Sequence, residues 1–152
     1  MTAQHVADEA IIRGQIDKLV ESIRAMDLEG AKSIYAPDIV TFDVGGPLQR
    51  VGAEAKGNNW EQAFAMFRRP PGYEFRGLTI TLGGDVAFAH GFGRLSGTLK
   101  NGNRFDGFWV RVTVCFRKID GSWLVAHDHA SVPLDLESGR GSVDLVPPAE
   151  AR

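Results

Sequence analysis

The stretch FRKIDGSWLVAHDHASVP, residues 116–133, reads as two β-strands around an Ile-Asp-Gly turn. Which of its side chains face inward decides both the fold and the site. Upstream, the run FWVRVTVCF (108–116) alternates: Phe108, Val110, Val112, Val114 and Phe116 are all apolar, against Trp109, Arg111, Thr113 and Cys115. A strand places these sets on opposite faces, and the apolar set is expected against the core. After the turn, Leu124, Ala126, Asp128 and Ala130 oppose Trp123, Val125, His127, His129 and Ser131. Two turns fit. A type I turn with left-handed Gly121 and a glycine bulge pairs Lys118 with Ser122, keeps like sets on one face and turns Asp128 inward. A two-residue Asp-Gly turn mixes the sets and turns His127 and His129 inward. The first keeps one pattern across both strands and is the expectation.

On that register Asp128 is the lone charge on an apolar face, costly to bury ionised unless a donor meets it. An aspartate hydrogen-bonded at the open end of the sheet is the plainer reading. His127 and His129 share the opposite face; a zinc site there would need a third ligand, none is evident, and no metal is expected. The run VAFAHGFGR (86–94) alternates too, with Val86, Phe88, His90, Phe92 and Arg94 against Ala87, Ala89, Gly91 and Gly93. If the bulky set faces inward, His90, Arg94 and Phe88 join Asp128 in a pocket. A one-residue change at the KNGN turn would reverse that.

Working outward, residues 7–26 carry an amphipathic helical rhythm, a short second helix runs from MDLEG to Tyr35, and Pro37 stops it. IVTFD is a strand, and 52–69 carry a third helix with Trp60, Ala63, Phe64 and Phe67 on one stripe. Beyond Pro71 the turn signals GG, KNGN and IDG separate successive hairpins. Helices followed by antiparallel strands give an α+β fold. One domain is expected over 1–133, with 134–152 a tail that is flexible or makes oligomer contacts.

The formal net charge of −2 and scattered basic residues predict no nucleic-acid partner. A single cysteine excludes an internal disulfide. The N-terminus reads as no signal peptide and no apolar run approaches the ~20 residues of a membrane span, so a cytoplasmic protein without membrane contact is expected. No nucleophile elbow, phosphate loop or zinc-helix motif occurs.

The stretches AMDLEGAKSIYAPDIVTFD, FRKIDGSW and WLVAHDHASVP resemble the SnoaL-like, ketosteroid-isomerase-like branch of the nuclear transport factor 2-like superfamily. The ending also resembles the association domain of calcium/calmodulin-dependent kinases. The resemblance implies a cone-shaped barrel, a curved and mostly antiparallel sheet around three N-terminal helices, with an apolar pocket between them. It further implies a homodimer through the outer sheet face, here Trp109, Arg111, Thr113, His127 and His129. The general base of ketosteroid isomerase corresponds to Asp43, an equally good strand-end cap. The oxyanion-hole tyrosine corresponds to Leu19 and the second acid to Val112 or Val114, so steroid isomerisation itself is not expected.

The expected function is therefore cofactor-free acid–base chemistry, of isomerase, cyclase or hydrolase type, on a small apolar organic molecule. Asp43 is the base, and Asp128 or His90 the partner acid. Arg94 anchors substrate, and Trp60, Phe64, Phe88, Val112 and Val114 line the pocket. Aromatic residues placed as Trp60, Phe64 and Phe67 belong more often to a plain core than to a substrate-stacking wall. Tyr35 and Tyr73 are phenol donors without an assigned place. The alternative is a non-catalytic ligand-binding or dimerisation module on the same fold.

Overall fold

The computed structural model describes residues 2–149. Helix α1 (Ala3–Arg24) starts where the Thr2 hydroxyl accepts the backbone N–H of His5 at 3.0 Å, which satisfies one of the otherwise orphan donors of a helix end. Its buried stripe is Asp8, Ile12, Ile16, Leu19, Ser22 and Ile23, spaced by threes and fours, so a single face packs against the sheet. Helix α2 (Leu28–Lys32) is capped by Asp27, which accepts from the Gly30 N–H at 2.9 Å. It ends before Tyr35, which opens strand β1 (Tyr35–Phe42). Pro37 lies inside β1, where pairing with the neighbouring strand lapses between Tyr35 and Val40, since proline has no N–H for a ladder. After strand β2 (Arg50–Val51), Gly52 at φ +98° leads into helix α3 (Ala53–Phe64), shorter than the expected 52–69.

Strands β3 (Gly72–Gly83), β4 (Val86–Thr98), β5 (Arg104–Phe105), β6 (Val110–Ile119) and β7 (Ser122–Ser131) follow. The sheet order is β2-β1-β7-β6-β4-β3, with β5 on β4; β1 and β7 run parallel and the other pairs antiparallel. The helices cover one face of this curved mixed sheet, an α+β architecture. Within the segment expected as a tail, β8 (Leu134–Asp135) and β9 (Arg140–Gly141) form a small hairpin. The core joins Ile12 and Ile23 of α1 to Ile34, Ile39, Trp123 and Val125. Burying each such side chain stabilises the fold by ~1.5–3 kcal/mol. Trp123 also donates its indole N–H to Asp8 at 3.0 Å and accepts at its carbonyl from Gln15 at 2.7 Å, locking α1 onto β7.

The hairpin between β6 and β7 corrects the expected register. Asp120 (φ +49°) and Gly121 (φ +82°) form a two-residue turn that pairs Ile119 with Ser122, the left-handed backbone twist that suits tight hairpins. Trp123 and Val125 consequently face the core. The register then slips, with Phe116 opposite Val125 but Cys115 opposite His127. The extra residue, Ala126, is a β-bulge that exchanges the two faces. Beyond it Asp128 pairs with Val114 and Ala130 with Val112 on the inner face. Asp128 points inward by a two-residue turn plus a bulge, not by the expected three-residue turn.

Strand β4 is a second correction. Ala87, Ala89, Gly91 and Gly93 are its buried set, while Val86, Phe88 and His90 are exposed and Arg94 is half-buried on the same outer side. The small side chains leave room for large ones. A Cβ on Gly93 would lie 3.0 Å from the Tyr73 hydroxyl, and one on Gly97 would lie 2.8 Å from the Phe67 ring. An inward bulky set would fill the space these aromatics occupy.

Candidate active site

A cavity of about 410 Å³ opens between α1, α3 and the inner sheet face, within the range of small-molecule sites. Its wall is apolar, with Leu19, Ile34, Leu95, Val112, Val114 and Val125 contributing. The inward alternation of β6 supplies the two central valines. Trp60 of α3 also lines it, whereas Phe64 stacks behind Trp60 at 6.2 Å and belongs to the core rather than the wall.

One polar cluster interrupts this surface. Asp43 follows the last residue of β1, and Asp128 sits beside it because β1 and β7 pair in parallel with Thr41 opposite Asp128. Lys56 reaches between them from α3, with Nζ 2.6 Å from Asp43 Oδ1 and 3.1 Å from Asp128 Oδ2. It also donates to Thr41 Oγ1 at 3.2 Å, and the Thr41 hydroxyl donates to Asp128. The side chains of Lys56, Asp43 and Asp128 are 5%, 7% and 13% exposed. Charges so removed from water persist only when paired. Arg50 adds a second cation, its Nε 3.5 Å from Asp43 Oδ2. Neither of those two atoms makes a hydrogen bond. Burial pulls the Lys56 ammonium down, but the charges of Asp128 and Asp43 outweigh it and hold its pKa above the ordinary lysine value.

Two phenols complete the site. Tyr35, at the start of β1, accepts the Trp60 indole N–H at 2.7 Å. Tyr73 of β3 meets Trp60 edge-on at 5.9 Å and Phe75 edge-on at 5.2 Å. Burial, and for Tyr35 the nearby Asp128, push both pKa values well above that of free tyrosine.

The cavity thus brings together Asp43, Asp128, Trp60, Val112 and Val114 of the residues expected from the sequence. It leaves His90, Arg94 and Phe88 on the outer face, where Arg94 pairs with Glu74 at 2.7 Å and packs on Trp109. His127 is also outward; its Nδ1–H donates to the Val40 carbonyl at 2.6 Å. Among the described residues no group of three or more His, Cys, Asp or Glu side chains could hold a metal ion. Sequence reasoning missed Lys56. Its signal was its position four residues before Trp60, on the same inward stripe of α3, where a free surface lysine has no reason to be.

A SnoaL-like domain model matches residues 12–135. The chain belongs to the SnoaL-like family. This SnoaL-like chain is similar in structure to an NTF2-like protein of unknown function from Pseudomonas putida KT2440. The two share 34% identity over 93% of this chain and 98% of that one, with a TM-score of 0.83. It is also similar to a Xanthomonas campestris protein provisionally called a calcium/calmodulin-dependent protein kinase II association domain, at 25% identity, 90% and 91% coverage and TM-score 0.66. A Novosphingobium aromaticivorans protein provisionally called a scytalone dehydratase shares the fold at 14% identity, covering 86% and 87%, with TM-score 0.74. No curated protein matches the chain. No helix among the described residues is long and apolar enough to cross a membrane.

Proposed function

We propose that this SnoaL-like protein is a small-molecule enzyme that moves a proton on a neutral, apolar organic substrate, with Asp43 as general base and no cofactor. One observation carries the reading: beside Lys56, Asp128 and Thr41, which are bonded to each other, Asp43 Oδ2 has no hydrogen-bond partner and only the Arg50 guanidinium near it at 3.5 Å. Its lone pair is the one left to accept a proton, and the apolar wall suits a hydrocarbon skeleton. The Arg50 guanidinium lies 3.5 Å from that oxygen, and Asp43 lines the cavity beside Val44 and Gly45. Movement of one guanidinium would uncover it. Asp128 accepts from Thr41 and Lys56, which makes it the group that positions Lys56 rather than an acid. Lys56 keeps positive charge where negative charge develops on the substrate.

The test is proton exchange in heavy water. The protein should accelerate deuterium uptake at the carbon next to the carbonyl of 2-tetralone, a bicyclic ketone, as followed by proton NMR. Asp43→Asn should remove roughly 10²–10⁴-fold of that acceleration with the melting temperature nearly intact. Undiminished exchange in Asp43→Asn would remove Asp43 from the chemistry. Binding of the ketone with no acceleration by the unaltered protein would make the chain a ligand-binding module instead.

A further inference from the structure

Strands β1 and β7 run parallel and finish together, with Phe42 opposite His129. The loop 43–49 that follows β1 and the segment 132–149 that follows β7 therefore leave the sheet at the same end. Both carry apolar side chains in water. Leu48 is 97% exposed and Leu136 89%, and Val44, Leu134, Val143, Leu145 and Val146 are exposed as well. Single exposed aliphatics are ordinary, but seven on two adjoining segments form a patch that marks a contact site.

The segment after β7 carries its own scaffold. The Asp135 carboxylate accepts the Glu137 N–H at 3.0 Å and the Ser138 hydroxyl at 2.9 Å. The Gly139 N–H donates to the Asp135 carbonyl, and the Ser142 N–H to the Pro133 carbonyl, both at 2.7 Å. These bonds hold the β8–β9 hairpin with Leu134 and Leu136 in water. A two-stranded hairpin is marginal in water by itself, so this one gains most from a surface that covers its leucines. Such a surface lies beside it, an open hollow of about 830 Å³ whose wall includes Phe42, Val44, Pro47, Leu48, Ala130 and Val132. No residue of the hairpin lines that hollow.

We infer that a second copy of the chain docks at this end, the hairpin of each copy seated in the hollow of the other. A two-fold interface needs one patch complementary to itself, and this end offers both an apolar ridge and an apolar hollow. The seven side chains present on the order of 300–550 Å² of apolar area, against roughly 450–500 Å² that one partner contributes to a standard interface. The outer sheet face suits a second copy less well. Around Trp109 it carries Arg76, Arg94 and Arg111, with Glu74 already paired to Arg94, so two copies set face to face there oppose like charges. An anionic lipid surface suits this end poorly too, since residues 134–149 set Asp135, Glu137 and Asp144 against Arg140. The hollow shares Asp43, Val44, His129 and Ala130 with the cavity wall, so the docked copy also borders the cavity.

Sedimentation velocity of the full chain from about 1 to about 100 μM, a range that brackets a micromolar dissociation constant, tests this. The unaltered chain should dimerise. Leu48→Asp and Leu136→Glu each put a charge where a leucine meets apolar surface and should raise the dissociation constant at least about tenfold. Their far-ultraviolet circular dichroism should be unchanged, because both side chains lie in water in the single copy. Thr113→Glu, exposed on the outer sheet face, should shift the constant by less than about twofold. A dimer that survives either leucine substitution, or one that Thr113→Glu splits, overturns the inference. A chain that stays monomeric at the highest concentration overturns it as well; if phosphatidylcholine vesicles capture that monomer and Leu136→Glu abolishes the capture, this end belongs to a membrane instead.

Discussion

Replacing Lys56 by Met keeps an unbranched aliphatic stem and removes the ammonium, which lies 5.9 Å from the Tyr35 ring centroid and 5.7 Å from that of Trp60. That ammonium joins two carboxylates at 2.6 and 3.1 Å in side chains 7% and 13% exposed. Asp43 retains Arg50 at 3.5 Å, whereas Asp128 loses its one cation and keeps only Thr41. Breaking a buried pair by deleting one partner costs about 3–5 kcal/mol because a bare charge stays buried, which for a chain this size lowers the melting temperature by roughly 6–20 °C. The loss should depend on pH. In the variant, a carboxyl facing another carboxylate without the lysine takes up a proton on folding more readily than in the unfolded chain. Its folded pKa then exceeds the unfolded value of about 3.9, and stability falls as pH rises. Urea denaturation followed by tryptophan fluorescence should therefore show a smaller deficit near about pH 5 than near about pH 7.5. Adding Asp128→Asn to Lys56→Met should recover much of the loss at the higher pH. A deficit below about 1 kcal/mol, or one equal at both pH values, would refute the view that Lys56 neutralises a buried carboxylate pair.

Two further outcomes test the same wall. Tyr35 and Tyr73 are the only tyrosines, and both have pKa values raised by burial from the ordinary 10.0. The native protein should therefore show no tyrosinate absorbance as pH passes 10.0. The folded chain holds those protons, and that of Lys56, more tightly than the unfolded chain. Their stabilisation is complete below the unfolded values and declines as pH rises through the folded ones, so phenolate should appear only as the protein unfolds; early titration of either tyrosine would place it in water. Gly93→Ala puts a methyl 3.0 Å from the Tyr73 hydroxyl and 3.3 Å from both Phe75 and Val112. It should cost about 1–3 kcal/mol in denaturation midpoint, as overpacking does, and an unchanged midpoint would mean that Tyr73 is free to move away.

Local chemistry made much of this protein legible as a sequence. The helix-then-hairpin order, the inward valines of β6 and the candidacy of Asp43 and Asp128 all follow from periodicity or from resemblance along the chain. Side-chain period two says that a strand has two faces; it does not say which is inside when each is tolerable there. In β4 the small set is interior because Tyr73 and Phe67, distant in sequence, need its space. His90, Arg94 and Phe88 were displaced from the site for that reason.

Asp128 shows the same division more sharply. Alternation marked it as the odd charge on its strand, but its direction depends on a two-residue turn and on the bulge at Ala126, and either one alone would turn it outward. Lys56 carries no local mark beyond its helical phase with Trp60. Its role exists only where the parallel pairing of β1 and β7 sets two carboxylates side by side before it. The sequence by itself determined the elements, their apolar faces and a short set of carboxylates. The tertiary structure decided which side chains share the cavity, because register, bulges and close packing are settled between segments and not within them.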